Sequence, residues 1–461
     1  MKEFIGRLKE LSKLNDLFSD PESKSVAIYG KRRVGKTALI KEFCKGKRAI
    51  FFTCLEISEQ SNIESMHIVL SSLTNEKIPE FKSFLTVLET LKKMDYPEKT
   101  VIILDEFPYL AGAAKYVPSA LQAFIDHVLP TINAMLIISG SSIHSMKREI
   151  SDMDRPLFGR FENRMEIKPL SYLECREFHP TMSDEDYLRT YMTVGGIPYY
   201  HKIMKESSYE DCVLRNFLKE NSPLYDEITG IIGRELSPII TFTDIIKSIA
   251  DGINRISDIA NKIGISLKLC RTYIDELISL DIVEQVNLVA NSPKRPVFYI
   301  KDPIIGFYFA VVQKNIGLIN TMRPKEIYTQ IFNDIDTLMG HSFEGLCKEY
   351  IVMNYSCRNV GTWRGRAGTE NVDIDIVAEI IENDNNVALL CECKFRKRIT
   401  KIDAYSTLKQ RSKFISGYNN VRYIIFSLSE FDEELIDVAN ADNLLELVGV
   451  KDLLKTAETE N

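Results

Sequence analysis

Three hydrophobic patterns follow one another along this chain. Toward the amino end, apolar residues stand in short unbroken runs at Ser25–Tyr29, Val101–Leu104 and Met135–Ile138. An unbroken run is the mark of a strand covered on both faces, and so of a parallel sheet packed between helices. Residues 172–235 read as helices, with starts at Asp184 and Tyr209 where acidic residues lead into apolar ones. Between Phe242 and Leu280 apolar positions recur at helical spacing in three blocks, broken at Asp251-Gly252 and near Gly264. Near the carboxyl end the period changes to two. Val372–Ala378 and Ala388–Lys394 alternate, and the turn-rich Glu382–Asn386 lies between them, which predicts a pair of strands.

Composition narrows the class. A chain of 461 residues has room for about three or four domains, each with its own core. Hydrophobic residues are 45% and charged residues 27%, and no run of about eighteen apolar residues could span a bilayer. The first residues lack the basic, apolar and small-residue layout of a secretion signal, so a cytoplasmic location is expected. Nine cysteines without a C-x-x-C pair point to reduced thiols rather than disulfides or zinc. The net charge of −7 does not advertise a nucleic-acid binder, so any such claim must rest on a particular element.

Directly after the first apolar run stand Gly30-Lys31-Arg32-Arg33-Val34-Gly35-Lys36-Thr37, and Ala38 begins a helical pattern. A strand that turns sharply into a helix leaves backbone N–H groups aimed at one point, where the helix dipole also favours an anion. Gly30 and Gly35 let the backbone close around phosphates, Lys36 adds a charge for the outer phosphates, and Thr37 can ligate Mg²⁺. ATP with Mg²⁺ is the expected ligand. The second run ends in Asp105-Glu106. Asp105 would hold the metal through water or Thr37, and Glu106 would polarise the attacking water. The third run ends in Ser139-Gly140-Ser141-Ser142. Either Ser139 or Ser141 could orient water or touch phosphate, and a hydroxyl-rich turn that caps the next helix fits equally well.

With these motifs in place, the chain resembles the archaeal-type AAA+ ATPases related to the STAND and origin-recognition branches, often followed by a winged helix and a DUF234 nuclease-like domain. The resemblance is carried by Phe4–Leu11, the phosphate loop, Asp105–Leu110, Pro156–Arg160 and Gly195–Tyr199. It implies that Gly6 and Arg7 lie near the base, that the Gly195–Tyr199 turn packs there too, and that Arg160 is an arginine finger or sensor. A finger supplied by a neighbouring copy would couple hydrolysis to assembly. Arg155 and Arg164 are close in sequence, and a solvated basic helix end remains an alternative.

The middle blocks resemble a helix-turn-helix with Gly264 in the turn and Ser266 as the cap of its second helix, followed by a hairpin over Val283–Leu288 and Val297–Ile300. That is the outline of a winged helix. Lys268, Arg271, Lys294 and Arg295 are candidate DNA contacts, although Asp275 and Glu276 share the helix. In the last segment the period of two puts Glu392 and Lys394 on one face, and Asp375 of the neighbouring strand can reach it. Two carboxylates would share a divalent metal while the lysine activates water or steadies the leaving phosphate. This looks like the PD-(D/E)xK restriction-endonuclease core, in which Glu344 matches the helical glutamate and Gln410 a later helical polar position. A charged, solvated hairpin face is the plainer alternative.

The expected architecture is therefore multidomain α/β. A P-loop NTPase with a parallel sheet occupies 1–171, a helical lid 172–236, a winged helix-turn-helix 237–305, and a restriction-endonuclease-like α/β domain 306–461. Expected partners are ATP, DNA, further copies of the chain and a protein held by the winged helix. A nucleotide-controlled switch without a nuclease step is the competing function.

Overall fold

The computed structural model describes all residues except 1–3, 74–77, 79, 220, 236–237, 287, 290–296, 368–369, 383–384, 416–417, 419 and 456–461. The chain divides into two compact units, one of residues 1–170 with 197–199, the other of residues 171–196 with 200–461.

The first unit is built on five parallel strands: β1 (Ser25–Tyr29), β2 (Arg48–Thr53), β3 (Thr100–Asp105), β4 (Ala134–Gly140) and β5 (Asn163–Glu166), in the order β2-β3-β4-β1-β5. Every residue of β3 and β4 is buried, which requires cover on both faces and explains why these runs do not alternate. The order places β1 and β3 on either side of β4, so the carboxyl ends of all three lie side by side. In open sheets of this kind ligands bind at the carboxyl edge. The phosphate loop leaves β1 there and enters the helix Lys36–Phe43, whose amino end is capped by Gly35 at φ 99°, a left-handed conformation that favours glycine. Gly30 is required for a different reason. A Cβ at that position would stand 2.3 Å from the Ile167 carbonyl oxygen.

In the second unit, the helices Asp184–Val194 and Tyr209–Asn216 begin where the acidic starts predict them, each capped by the serine before it, Ser183 and Ser208. Three further helices, Ile239–Ala250, Ile256–Ile263 and Leu267–Ser279, precede a short antiparallel pair, β6 (Val283–Gln285) and β7 (Phe298–Ile300). Gly264 ends the second of these helices at φ 73°, and the Ser266 side chain accepts from the Leu269 N–H at the start of the third. The described strands are shorter than the sequence pattern predicts.

The helix Pro324–Asn354 then leads into a mixed sheet of β8 (Cys357–Ala367), β9 (Glu370–Glu382), β10 (Asn385–Lys394), β11 (Asn420–Ser427) and β12 (Leu445–Val448), ordered β12-β11-β10-β9-β8. β8, β9 and β10 pair antiparallel, whereas β10, β11 and β12 run parallel. The helix Asp403–Ser412 makes the crossover from β10 to β11 and buries Ala404, Tyr405 and Leu408 against Leu390, Tyr423 and Ile425.

Two buried histidines brace this unit's first turns. The Gly195 carbonyl can only accept, so the His201 Nε2–H donates to it at 2.7 Å. His201 Nδ1 is then an acceptor, and the His179 Nε2–H donates to it at 2.8 Å. Burial holds His179 down at about 4 and His201 at about 3, so both stay neutral at pH 7.

Candidate active site

The phosphate loop is held from three sides. Lys36, nearly buried, donates from Nζ to the carbonyls of Gly30 and Lys31 at 3.0 and 3.1 Å, which fixes its ammonium in the mouth of the loop. Gly6 and Arg7 take positive φ angles in succession, so the chain turns sharply before the helix Leu8–Ser19. The turn buries the Arg7 guanidinium, which donates to the Val34 carbonyl at 3.1 Å and pairs with Glu10 at 3.1 Å. Arg7 therefore braces the loop itself, a contact that the expectation of a base-side residue does not contain. Arg33, also at positive φ, lays its guanidinium over the Tyr199 ring at 3.9 Å. That contact ties Tyr199 to the loop. Arg32 and Ala38 are exposed, while Lys31 and Thr37 are half-buried.

At the carboxyl end of β3, Asp105 is buried and doubly bonded. Thr37 Oγ1–H donates to its Oδ2 at 2.8 Å, and Ser139 Oγ–H donates to its Oδ1. A hydroxyl and a carboxylate oxygen at this distance, beside a phosphate loop, form the pair that could hold a magnesium ion. Glu106 follows at φ 56°, a conformation uncommon for a residue with a side chain. This backbone turn sends its carboxylate to the carboxyl end of β4, where Ser141, the residue after the strand, donates both its N–H and its Oγ–H to Oε2 at 2.9 and 2.8 Å. The capping alternative is realised as well, by the next residue. Ser142 accepts from the Ser145 N–H and starts the helix Ile143–Ser151. The serine cluster thus divides its work: Ser139 on Asp105, Ser141 on Glu106, Ser142 on the helix.

Arg160 is not part of this edge. Its guanidinium donates to Asp126 at 3.3 and 3.2 Å and to the Phe158 carbonyl at 2.9 Å, while its own carbonyl accepts from Ser25 Oγ–H at 2.5 Å. Ser25 opens β1 and the phosphate loop leaves the other end, about 13 Å away at the rise of a strand. Within one copy, Arg160 is therefore bonded away from the edge that holds Thr37, Asp105 and Glu106.

In the second unit the structure brings Asp375, Glu392, Lys394 and Glu344 to one neighbourhood. Between the pairs Gly361–Val377 and Trp363–Ile374 the register of β8 and β9 shifts, so that Asp375 and Ile376 together oppose Thr362. This is a β-bulge, a device that re-aims a side chain, and Thr362 Oγ1–H secures it by donating to the Asp375 carbonyl at 3.0 Å. Asp375 and Glu392 each lie one step beyond the last paired residues of β9 and β10, Ile376 and Cys391. The Cys393 N–H donates to Asp375 Oδ2 at 2.8 Å. Burial, then the charges of Glu392 and Glu344, push the Asp375 carboxyl up to about 7. Glu392 is buried and takes two cations, Lys394 on Oε1 and Arg411 on Oε2 at 2.9 Å.

Glu344 comes from the helix Pro324–Asn354 and faces His341 at 3.8 Å; the bond to Glu344 pulls the imidazole above its usual range. No group of three or more His, Cys, Asp or Glu among the described residues is gathered closely enough to hold a metal ion. Arg411 is the residue that the sequence reading lacks. The position before it, Gln410, is exposed, and only the fixed phase of the helix Asp403–Ser412 separates the two.

The candidate DNA contacts fare unevenly. Lys268 is exposed on the helix Leu267–Ser279, but the Arg271 guanidinium is taken by Asp275 at 2.9 and 3.0 Å. Lys294 and Arg295 lie outside the described residues. No helix among the described residues is long and apolar enough to cross a membrane.

Comparison with known proteins agrees with the geometry of the first unit. Residues 4–202 match a family described as an ATPase domain predominantly from Archaea, and residues 308–407 match DUF234, described as archaeal and bacterial proteins of unknown function. An uncharacterized protein of Methanocaldococcus jannaschii, MJECL04, is 26% identical over 427 residues, covering 89% of this chain and 92% of its own. A second protein of that organism, the uncharacterized ATP-binding protein MJ0423, is 40% identical over 45 residues, 10% of this chain and 76% of its own. Among solved structures, the Walker-type ATPase PABY2304 of Pyrococcus abyssi superposes with a TM-score of 0.50 at 18% identity, covering 66% of this chain and 96% of its own. With the phosphate loop, the Thr37–Asp105 pair and the clamped Glu106 in one edge of a parallel sheet, residues 4–202 are an archaeal-type ATPase domain and the chain is a P-loop ATPase that hydrolyses ATP.

Proposed function

We propose that this ATPase is of the AAA+ type related to the STAND and origin-recognition branches, and that its turnover serves nucleic acid which the carboxyl-terminal segment holds and cuts. On this reading 1–171 is the ATPase core, 172–236 its lid, 237–305 a winged helix and 306–461 a restriction-endonuclease-like domain. Mg²⁺ accompanies ATP at Thr37 and Asp105. Arg160 acts between copies, so hydrolysis depends on assembly.

The observation that carries the nuclease clause is the bulge that turns Asp375 toward Glu392, with Lys394 two residues further along the same strand. The residues fit a divalent cation in one respect: Asp375 is desolvated beside two other carboxylates, and a cation there would relieve both burial and repulsion. Such an ion supplies positive charge for a phosphodiester and a more acidic bound water. The chain's own part is to orient Asp375 through the Cys393 N–H and to hold Lys394 beside the reacting phosphate.

A second reading draws on a specific observation too. Both oxygens of Glu392 are already ion-paired, to Lys394 and Arg411, which suits a domain that keeps the fold for binding alone. The protein is then a nucleotide-controlled switch whose rear segments hold a protein partner. One set of assays separates the two. Phosphate release from ATP should fall in Lys36→Ala and Glu106→Gln, and metal-dependent DNA cleavage should vanish in Asp375→Ala and Lys394→Ala. Cleavage that survives both substitutions rules out this site. ATP-dependent assembly with no cleavage favours the switch.

A further inference from the structure

The charge that the chain lacks on average is concentrated in one place. From Lys394 to Lys413 the sequence holds eight lysines and arginines against a single acid, Asp403, in a protein of net charge −7. Two of these cations, Lys394 and Arg411, are spent on Glu392. Of the other six, Lys409 lies over the Tyr405 ring at 5.3 Å. Arg396, Lys397, Arg398, Lys401 and Lys413 are all exposed, and among the described residues no carboxylate pairs with any of them. Arg271, by contrast, is neutralised by its own helix neighbour.

The loop that carries Arg396, Lys397 and Arg398 is tied down. Thr400 is buried, its Oγ1 lies 2.7 Å from Ser427 Oγ, its N–H donates to the Glu430 carbonyl at 2.9 Å, and its carbonyl accepts from the Asp432 N–H at 3.0 Å. Ser429 Oγ–H donates to the Arg398 carbonyl at 2.6 Å. A run of like charges repels itself and is ordinarily loose. Here the backbone is fixed by bonds at and just after the end of β11, Lys397 also lies over the Phe332 ring at 5.2 Å, and the cations remain exposed, so little ordering remains to be done when an anion binds. The loop also begins directly after Lys394, the residue that ends β10, and so three positions beyond Glu392.

We propose that the loop 395–402, with Lys413 beyond the crossover helix, is the surface that holds the phosphodiester backbone of nucleic acid, in place of the helix Leu267–Ser279. This rests on the nucleic-acid clause of the function above, but not on cleavage. Recognition is through phosphate charge. It is independent of base sequence and weakens with salt, by about 0.9 in the logarithmic slope for each phosphate neutralised on a duplex.

The test is fluorescence anisotropy of the full chain with a labelled DNA duplex of arbitrary sequence, in EDTA so that no cutting occurs, across a range of salt. Arg396→Gln/Lys397→Gln/Arg398→Gln should weaken binding at least tenfold and lower the salt slope by about two to three, from three lost phosphate contacts. Lys268→Gln/Arg271→Gln should cost less than the loop variant. An unchanged thermal midpoint shows that the loop variant is folded. The proposal is overturned if the wild type binds no DNA, if the loop variant keeps affinity and slope, or if the helix variant carries the larger loss. Vesicles of phosphatidylserine form the second arm, and tighter binding to them than to DNA also overturns it. Failure of the cleavage assay leaves these readouts intact, so the two readings fail separately.

Discussion

Ser141 donates twice to one oxygen of Glu106, from its backbone N–H at 2.9 Å and from its hydroxyl at 2.8 Å. The carboxylate is thereby fixed at the carboxyl edge of the sheet by the residue that directly follows β4, and its own backbone at φ 56° is turned to reach there. If Glu106 polarises the attacking water as proposed, its orientation is worth most when it costs no rearrangement at the moment of reaction.

Ser141→Ala removes one donor and keeps the other. Turnover of ATP should fall about tenfold, equivalent to about 1.4 kcal/mol of barrier, while KM for ATP stays near the wild-type value because the serine bonds Glu106 and not the loop. A steady-state phosphate-release assay reads both. A fall in affinity with unchanged turnover would show that Ser141 serves the nucleotide instead.

The buried histidine pair makes stability depend on pH. Both groups have folded values below the ordinary imidazole value, His179 at about 4 and His201 at about 3. The unfolded chain therefore binds protons first as pH falls. The stability they contribute is whole above about pH 6.5 and is lost toward pH 4, on the order of 3 kcal/mol for the first proton. The thermal midpoint should drop across that window, and His179→Gln should flatten the drop. An equally steep profile in the variant would place the acid sensitivity elsewhere.

Much of the nucleotide site is legible in the sequence because strand, loop and helix are contiguous there, and their chemistry follows from residue order. Asp105 and Glu106 are legible for the same reason. What the linear pattern does not carry is which serine meets which carboxylate, since β3 and β4 become neighbours only in the sheet. The place of Arg160 is hidden by the same limit, since residue order does not say that Ser25, at the opening end of β1, is the residue that meets its carbonyl. In the second unit the alternation of Val372–Ala378 is visible, but the bulge that aims Asp375 appears only when β9 is laid against β8. Arg411 and Gln410 differ by one helical step, which composition cannot resolve.

Asp375 offers a pH test of the opposite sign. Its carboxyl is raised to about 7, first by burial and then by Glu392 and Glu344, so the folded chain binds a proton that the unfolded chain releases near pH 4. The favourable protonated state is fully present below about pH 4, and its contribution is lost as pH rises through 7. Asp375→Asn keeps the shape and removes the charge. Its thermal midpoint should exceed the wild type's at pH 8 and match it near pH 4, measured in EDTA. Magnesium should then raise the wild-type midpoint at pH 8 and leave the variant unmoved, if this carboxylate takes a cation. Equal midpoints at every pH would mean that Asp375 is solvated and ordinary.

Glu392 has a side chain only 5% exposed and holds Lys394 on one oxygen and Arg411 on the other at 2.9 Å. Removing one partner of a buried pair strands the remaining charge, which typically costs about 3–5 kcal/mol. Here Lys394 stays, and Arg411 is 30% exposed, so Arg411→Ala should cost less, about 1–3 kcal/mol, by the usual loss of a bond to a charged group. Glu392→Gln alone removes the charge that both cations answer. In the double variant the cost should be well below the sum of the two, because Arg411 no longer has an anion to serve. Chemical denaturation of the four proteins measures that coupling. If the costs simply add, the pair is not an energetic unit, and Arg411 is as free for phosphate as the cations of the loop 395–402.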